Sequence, residues 1–243
     1  LIKILPNNQN RIFFNDNGST AVEAGIKMAL QYYFNLEEKR NTFIAFENGF
    51  HGDTFGAMAV SGLSVYNGPF EDFLMDVKRI PTPNGQNHEA ILAQLEKITS
   101  ENKIAGFIYE PIIQGAAGMK IHDANGLNTI LKFFKTKNIL TIADEVMTGF
   151  GKTGSNFASD FMTTKPDIIC LSKALTAGLV PMAITSCTEK IYTAFLSNKM
   201  AKGFFHCHTY SANPIACAAA NAAIELLQTD EIQQNIKTIS ASH

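Results

Sequence analysis

Three apolar runs, each ending abruptly on polar residues, constrain this chain more than any other feature. IAGFIY at 104–109 meets Glu110-Pro111, ILTIA at 139–143 meets Asp144-Glu145, and IICL at 168–171 meets Ser172-Lys173. Each run is apolar at nearly every position, not at every second one, which suits strands buried on both faces. A helical pattern at 127–137 separates the first two runs. Buried strands alternating with helices predict an α/β fold whose mostly parallel central sheet carries helices on both faces. In such sheets ligands collect beyond the carboxyl ends of the strands. Glu110, Asp144 and Lys173 all stand there, so a site is expected at that edge.

The flanking segments fit the same alternation. Residues 11–16 read as a strand that ends in a turn signal, Asn15-Asp16-Asn17-Gly18. Residues 19–34 read as a helix, with Ala21, Val22, Ile26, Ala29 and Leu30 near helical spacing and Ser19 able to cap its start. Thr42–Phe46 is a further strand, 53–60 a short helix, 81–87 a loop, 89–98 a helix and 182–186 another apolar run. The 243 residues suffice for one large domain or a large domain with a small appendage, and 46% hydrophobic content supplies a sizeable core. A net charge of −2 with no segment rich in Lys and Arg argues against nucleic acid or an anionic membrane as partner. No run approaches a membrane span and no signal-peptide pattern is present, so a cytoplasmic protein is expected. Cys170, Cys187, Cys207 and Cys217 have no CxxC spacing and read as buried free thiols.

The edge residues differ in what they offer. A lysine at the rim of a core, such as Lys173, loses hydration, which favours the neutral, nucleophilic amine; a solvated lysine ending a strand is the plainer alternative. Asp144 at a strand end suits a metal, acid–base work, or pairing with a cation such as a protonated ring nitrogen. Neighbours on an extended backbone point to opposite sides, so Asp144 and Glu145 are not expected to form one carboxylate pair. Gly18-Ser19-Thr20 opens the first long helix, where free N–H groups and hydroxyls suit a phosphate. GFGKTG at 149–154 is not a nucleotide-binding loop, because Val146 stands where that motif needs glycine. His206-Cys207-His208 lacks a second ligand pair, and adjacent residues do not converge on one ion, so no metal is expected.

Taken together, FFNDNGSTAVEAGIKMAL, FHGDTFGAMAVSG, IYEPIIQGAAGM, IADEVMTGFGKTG, DIICLSKALTAG and HTYSANPIACAAA occur in the order of a known family. The chain resembles the class III aminotransferases, whose fold is pyridoxal 5′-phosphate (PLP) fold type I. By that resemblance Lys173 is the Schiff-base lysine and the acid–base group of the proton shift. Asp144 pairs with the pyridinium nitrogen, Gly18 and Ser19 bind the phosphate, and Phe50 stacks on the ring where many relatives carry tyrosine. Thr209 resembles the threonine that reaches the cofactor of the neighbouring subunit, which implies a homodimer with shared active sites. Residues 1–227 then correspond to the PLP-binding large domain without the family's N-terminal segment, and 228–243 to the start of a small C-terminal domain.

Within the family the wording is most similar to the branch acting in biotin biosynthesis. There S-adenosylmethionine gives an amino group to 8-amino-7-oxononanoate. Asp53 stands where ornithine- and acetylornithine-type relatives usually have arginine. Those relatives also carry a glutamate where this chain has Ala116, and a glutamine where it has Met147. The apolar pair fits a site that does not clamp a dicarboxylate. Lys152 replaces the arginine often found in GFGRTG, keeping the charge and losing the planar fork. Asp53 and Lys152 are therefore candidate substrate-binding residues, with free lysine as an alternative donor. Another class III reaction, of the ornithine, acetylornithine or 4-aminobutyrate type, is the alternative activity.

Overall fold

A computed structural model describes residues 1–62, 64 and 67–242. Within them the strands are β1 (Arg11–Asn15), β2 (Thr42–Phe46), β3 (Val77–Ile80), β4 (Ile104–Tyr109), β5 (Ile113–Gln114), β6 (Lys120–Ile121), β7 (Leu140–Asp144), β8 (Ile168–Leu171) and β9 (Ala183–Cys187). The helices are α1 (Gly18–Asn35), α2 (Phe55–Val60), α3 (His88–Glu101), α4 (Ala124–Thr136), α5 (Glu189–Phe195), α6 (Pro214–Leu227) and α7 (Asp230–Ser242).

The described residues build a seven-stranded sheet in the order β1-β9-β8-β7-β4-β2-β3, with β5 and β6 forming a separate antiparallel pair. From β8 across to β3 all neighbours run parallel; β9 runs antiparallel to both β8 and β1. The strands expected from the apolar runs are all present. The chain turns back at β9 through the short segment 177–182, too brief for the crossover that a parallel neighbour requires.

Alternation along the central strands, shifted in β4 by an irregularity in its pairing with β2, divides the core between the two faces. Phe43 and Ala45, Ala105 and Ile108, Leu140 and Ile142, Ile168 and Cys170 pack with Ala21, Val22 and Ile26 of α1, Ala57 of α2 and Ile191 of α5. Ile44 and Phe46, Phe107 and Tyr109, Ala143, Ile169 and Leu171 pack with Ile91 and Leu95 of α3, Phe134 of α4 and Ile224 of α6. Burying the larger of these side chains contributes about 1.5–3 kcal/mol each. Phe107 is the centre of its face, its ring stacked on Phe134 at 4.6 Å and on Tyr109 at 5.1 Å.

Several local expectations are corrected. Asn17, not Ser19, caps α1: its side chain accepts from Thr20 N–H, and the Thr20 hydroxyl accepts from Asn17 N–H. Ser19 thus sits inside the first turn. The helix expected at 53–60 begins at Phe55, because Glu23 of α1 supplies its cap in trans, accepting from the N–H groups of Gly56 and Ala57. Strand β3 at the sheet edge escaped the reading of the apolar runs: Lys78 and Arg79 break its pattern and lie half-buried. Cys170 and Cys187 are buried, whereas Cys217 is half-buried and Cys207 exposed, so burial of the thiols holds in part. No helix among the described residues is long and apolar enough to cross a membrane.

Candidate active site

The carboxyl ends of β4, β7 and β8 open onto one cavity of about 900 Å³, whose lining includes Glu110, Asp144 and Lys173. This is the convergence expected from the three apolar runs. Gly18, Ser19 and Phe50 also line it. Strand parity decides where the acidic pair goes. Asp144 falls on the α1 face with Leu140 and Ile142, and it faces the cavity. Glu145 falls on the other face and is fully buried, accepting from the Thr148 hydroxyl and from the N–H groups of Ala158 and Ser159. Burial pushes its carboxyl above the usual range despite those donors.

Asp144 is fixed at both oxygens. His51 Nδ1 lies 2.7 Å from Oδ2, and Val146 N–H donates to Oδ1 at 3.1 Å. A carboxylate only accepts, so Nδ1 carries the proton in this pair. The His51 backbone N–H donates to Ser61 Oγ, which donates in turn to the Ala57 carbonyl, tying the histidine to the end of α2. His51 Nε2 is buried and has no hydrogen-bond partner among the described residues.

The start of α1 borders the cavity. The first intrahelical bond runs from Ala21 N–H to the Asn17 carbonyl, so the N–H groups of Gly18 and Ser19 precede it. Asp53 N–H donates to Ser19 Oγ. Gly52 presses its backbone on Ser19 at φ +128°, and a side chain there would overlap Ser19 Oγ. A Cβ on Gly18 would lie 2.8 Å from Val146, another lining residue. Glycine is therefore required at both positions by close approach.

Glu110 is buried, its Oε2 accepting from Phe50 N–H at 3.1 Å and its Oε1 from Gly115 N–H at 2.9 Å. Burial raises its carboxyl pKa, with the negative charge of Asp144 adding and the two N–H donors and His51 opposing. Ala116 and Met147 line the cavity beside it and present no carboxylate.

Not every expected residue converges. Asp53 lines an adjoining cavity of about 510 Å³ that shares Phe50, Gly52 and Ala116 with the first. Lys152 is exposed on the 150–154 turn, and Thr209 is exposed in the turn before α6; neither lines these two cavities. Lys173 is itself exposed in the single chain, so the loss of hydration expected of a lysine at a core rim is not present there. Its backbone is unusual instead, with φ +43° at the start of a short 3-10 turn. Of the His-Cys-His run, His206 lies 3.1 Å from Lys27 Nζ, a cation beside it and not a ligand set.

The comparison with known proteins now decides the family. The model for aminotransferase class III matches residues 1–242. The chain belongs to the class III aminotransferases.

This is a family of PLP enzymes, and the residues present fit the cofactor. The cavity is large enough for a ring with a phosphate arm. A carboxylate, an amine and the start of a long helix all border it. The chain is 45% identical over 239 residues to the adenosylmethionine-8-amino-7-oxononanoate aminotransferase of Synechococcus elongatus, an alignment covering 95% of this chain and 56% of that protein. It is 40% identical to the Staphylococcus aureus enzyme of the same name, covering 100% of this chain and 57% of that one. Among solved structures, that of the same-named enzyme from Methanocaldococcus jannaschii superposes with a TM-score of 0.92 at 35% identity, covering 98% of this chain and 55% of that one. A PLP-bound amine transaminase from an uncultivated Pseudomonas species gives 0.90 at 32% identity, covering 97% and 56%. The chain thus spans a little over half the length of the relatives it matches.

Two residues of this class III site were not singled out from the sequence. His51 pairs with an aspartate 93 positions away, and Gly52 meets a serine 33 positions before it. The only local signal is that both sit in FHGD, next to Phe50 and Asp53.

Proposed function

We propose that the full-length protein is a PLP-dependent aminotransferase of biotin biosynthesis, moving an amino group from S-adenosylmethionine to 8-amino-7-oxononanoate to give 7,8-diaminononanoate. The observation that carries this reading is the convergence of Asp144 and Lys173, from the ends of adjacent parallel strands, on a cavity that also holds apolar Ala116 and Met147. The names of the relatives in Synechococcus elongatus and Staphylococcus aureus support the same choice of substrates.

When bound, PLP supplies an electron sink for negative charge developing on the substrate carbon beside the transferred nitrogen. Asp144, held by His51 and Val146 N–H, would pair with the ring nitrogen and favour its protonated form. Lys173 Nζ would hold the cofactor and would serve as the acid–base group that accepts and donates the proton. Gly18 and Ser19 receive the phosphate through backbone N–H groups and a hydroxyl. Phe50 would pack against the ring, without the hydroxyl a tyrosine would bring. Asp53, on the adjoining cavity, contacts substrate. Thr209 serves the cofactor of a second subunit in a homodimer; its position outside its own chain's cavity supports that role. Residues 1–227 form the cofactor-binding domain and 228–243 begin a second one. The four free cysteines suit a reducing cytoplasm.

The test is incubation of the full-length protein with PLP, 8-amino-7-oxononanoate and either S-adenosylmethionine or lysine, with product mass as readout. Diaminononanoate formed with S-adenosylmethionine is expected. Formation with lysine alone reassigns the donor. No diaminononanoate, alongside rapid turnover of ornithine or 4-aminobutyrate with 2-oxoglutarate, rejects the reading.

A further inference from the structure

Glu110 is a buried carboxylate bordering the cavity, and the steps above do not use it. Its two oxygens bond to different stretches of chain: Oε2 takes the N–H of Phe50, which precedes α2, and Oε1 takes the N–H of Gly115, which follows β5. The residues they anchor are themselves cavity walls, since Phe50 lines it and Ala116 follows Gly115 directly into it. Gln114 reinforces the same junction, its side-chain amide donating to the Glu47 carbonyl at 2.9 Å. Beneath, the Glu110 carbonyl accepts from His122 Nε2 at 2.8 Å, so the residue's backbone is also pinned.

We propose that Glu110 is a positioning residue that locks the Phe50 segment to the 113–118 segment, one carboxylate oxygen to each, and so sets the spacing of the two cavity walls that meet cofactor and substrate. The chemistry explains why the residue is an acid. A carboxylate accepts at two oxygens, whereas the amide of glutamine accepts at one and presents an N–H₂ at the other. Glutamine at 110 therefore keeps one tie and sets donor against donor at the second. Size and burial are preserved, so the substitution changes the tie and little else. The functional part of this proposal rests on the PLP reading; the lock itself does not.

The test compares wild-type and Glu110→Gln full-length protein by hydrogen exchange, without and with PLP, and by visible circular dichroism of the PLP-loaded protein. In the variant, exchange at Phe50 or Gly115 is expected to rise about tenfold, the value of one lost hydrogen bond, while amides of β4 and β7 are unchanged. The cofactor band is expected to keep its absorbance and lose at least half of its dichroism, because the wall holding Phe50 is released. Unchanged exchange at both positions overturns the lock. So does exchange raised equally through β4 and β7, which marks Glu110 as ordinary core. Local loosening with unaltered dichroism overturns its role in spacing the cavity walls. A wild-type protein that gains no visible band with PLP refutes the proposed function instead, and the exchange data without PLP still decide the lock. If Glu110→Gln does not fold, Glu110→Asp keeps the charge but shortens the reach by one methylene, and raised exchange at Phe50 or Gly115 with β4 and β7 unchanged is then the deciding readout.

Discussion

His51 Nδ1 and Asp144 Oδ2 are 2.7 Å apart, with both side chains buried at the wall of the cavity. The histidine gives the carboxylate one of its two hydrogen bonds and the backbone of Val146 gives the other. Removing the ring in His51→Ala leaves Asp144 with a single donor and a void beside it. A hydrogen bond to a charged group is worth about 1.5–3 kcal/mol, so PLP binding is expected to weaken about tenfold to a hundredfold. Titration of the apo full-length protein with PLP, followed by absorbance, measures this. Affinity within twofold of wild type would show that Asp144 needs no support from the ring.

Lys173 offers the amine bordering the cavity, and its φ of +43° places it at a constrained turn just past β8. Borohydride treatment of the PLP-loaded protein is expected to fix the cofactor mass on the peptide containing Lys173. In Lys173→Ala the fixed mass and the visible band are both expected to vanish. Peptide mass spectrometry checks this, and a cofactor mass found on another lysine removes Lys173 from its role.

The parts legible in sequence were those set by local rules. A strand's apolar run and the polar residue that ends it can be read from the chain, and so Glu110, Asp144 and Lys173 were brought together correctly. Parity along an extended strand likewise separated Asp144 from Glu145. What stayed hidden depended on partners far along the chain. Nothing near Gly56 says that Glu23 caps α2, and nothing near His51 says that Asp144 lies against it. Strand β3 was missed because Lys78 and Arg79 occupy an edge, where water reaches the side chains. The exposure of Lys173 agrees with the plainer reading of a solvated lysine ending its strand.

Glu145 provides a pH test of the core beneath the site. Its carboxyl is fully buried, and burial raises its folded pKa above the unfolded value. Between those two values the folded state holds a proton that the unfolded state has released. Stability from this group is therefore full below the unfolded pKa and falls as pH rises through the folded pKa. Glu145→Gln mimics the protonated form at every pH. The variant is expected to be less stable than wild type in acid, since one acceptor is lost, with the gap narrowing as pH rises from 4 toward 8. Urea unfolding of both proteins across that range measures it. A gap that widens with pH would mean that the three donors around Glu145 outweigh its burial.

Gly52 and Gly85 form a matched pair for separating backbone strain from steric fit. Both have positive φ, +128° and +83°, but a Cβ on Gly85 meets nothing within 4 Å, while one on Gly52 comes within 2.9 Å of Ser19 Cα. Gly85→Ala should cost only the left-handed backbone, about 1 kcal/mol. Gly52→Ala carries that strain and also drives into the first turn of α1, where Ser19 and the free N–H groups lie. Its cost is expected to exceed that of Gly85→Ala by about 2 kcal/mol in urea unfolding. PLP affinity is expected to fall more than tenfold in Gly52→Ala and to stay at the wild-type value in Gly85→Ala. Equal losses in the two variants would mean that the start of α1 yields to the new methyl group, and that the close approach of Gly52 to Ser19 does not shape this end of the cavity.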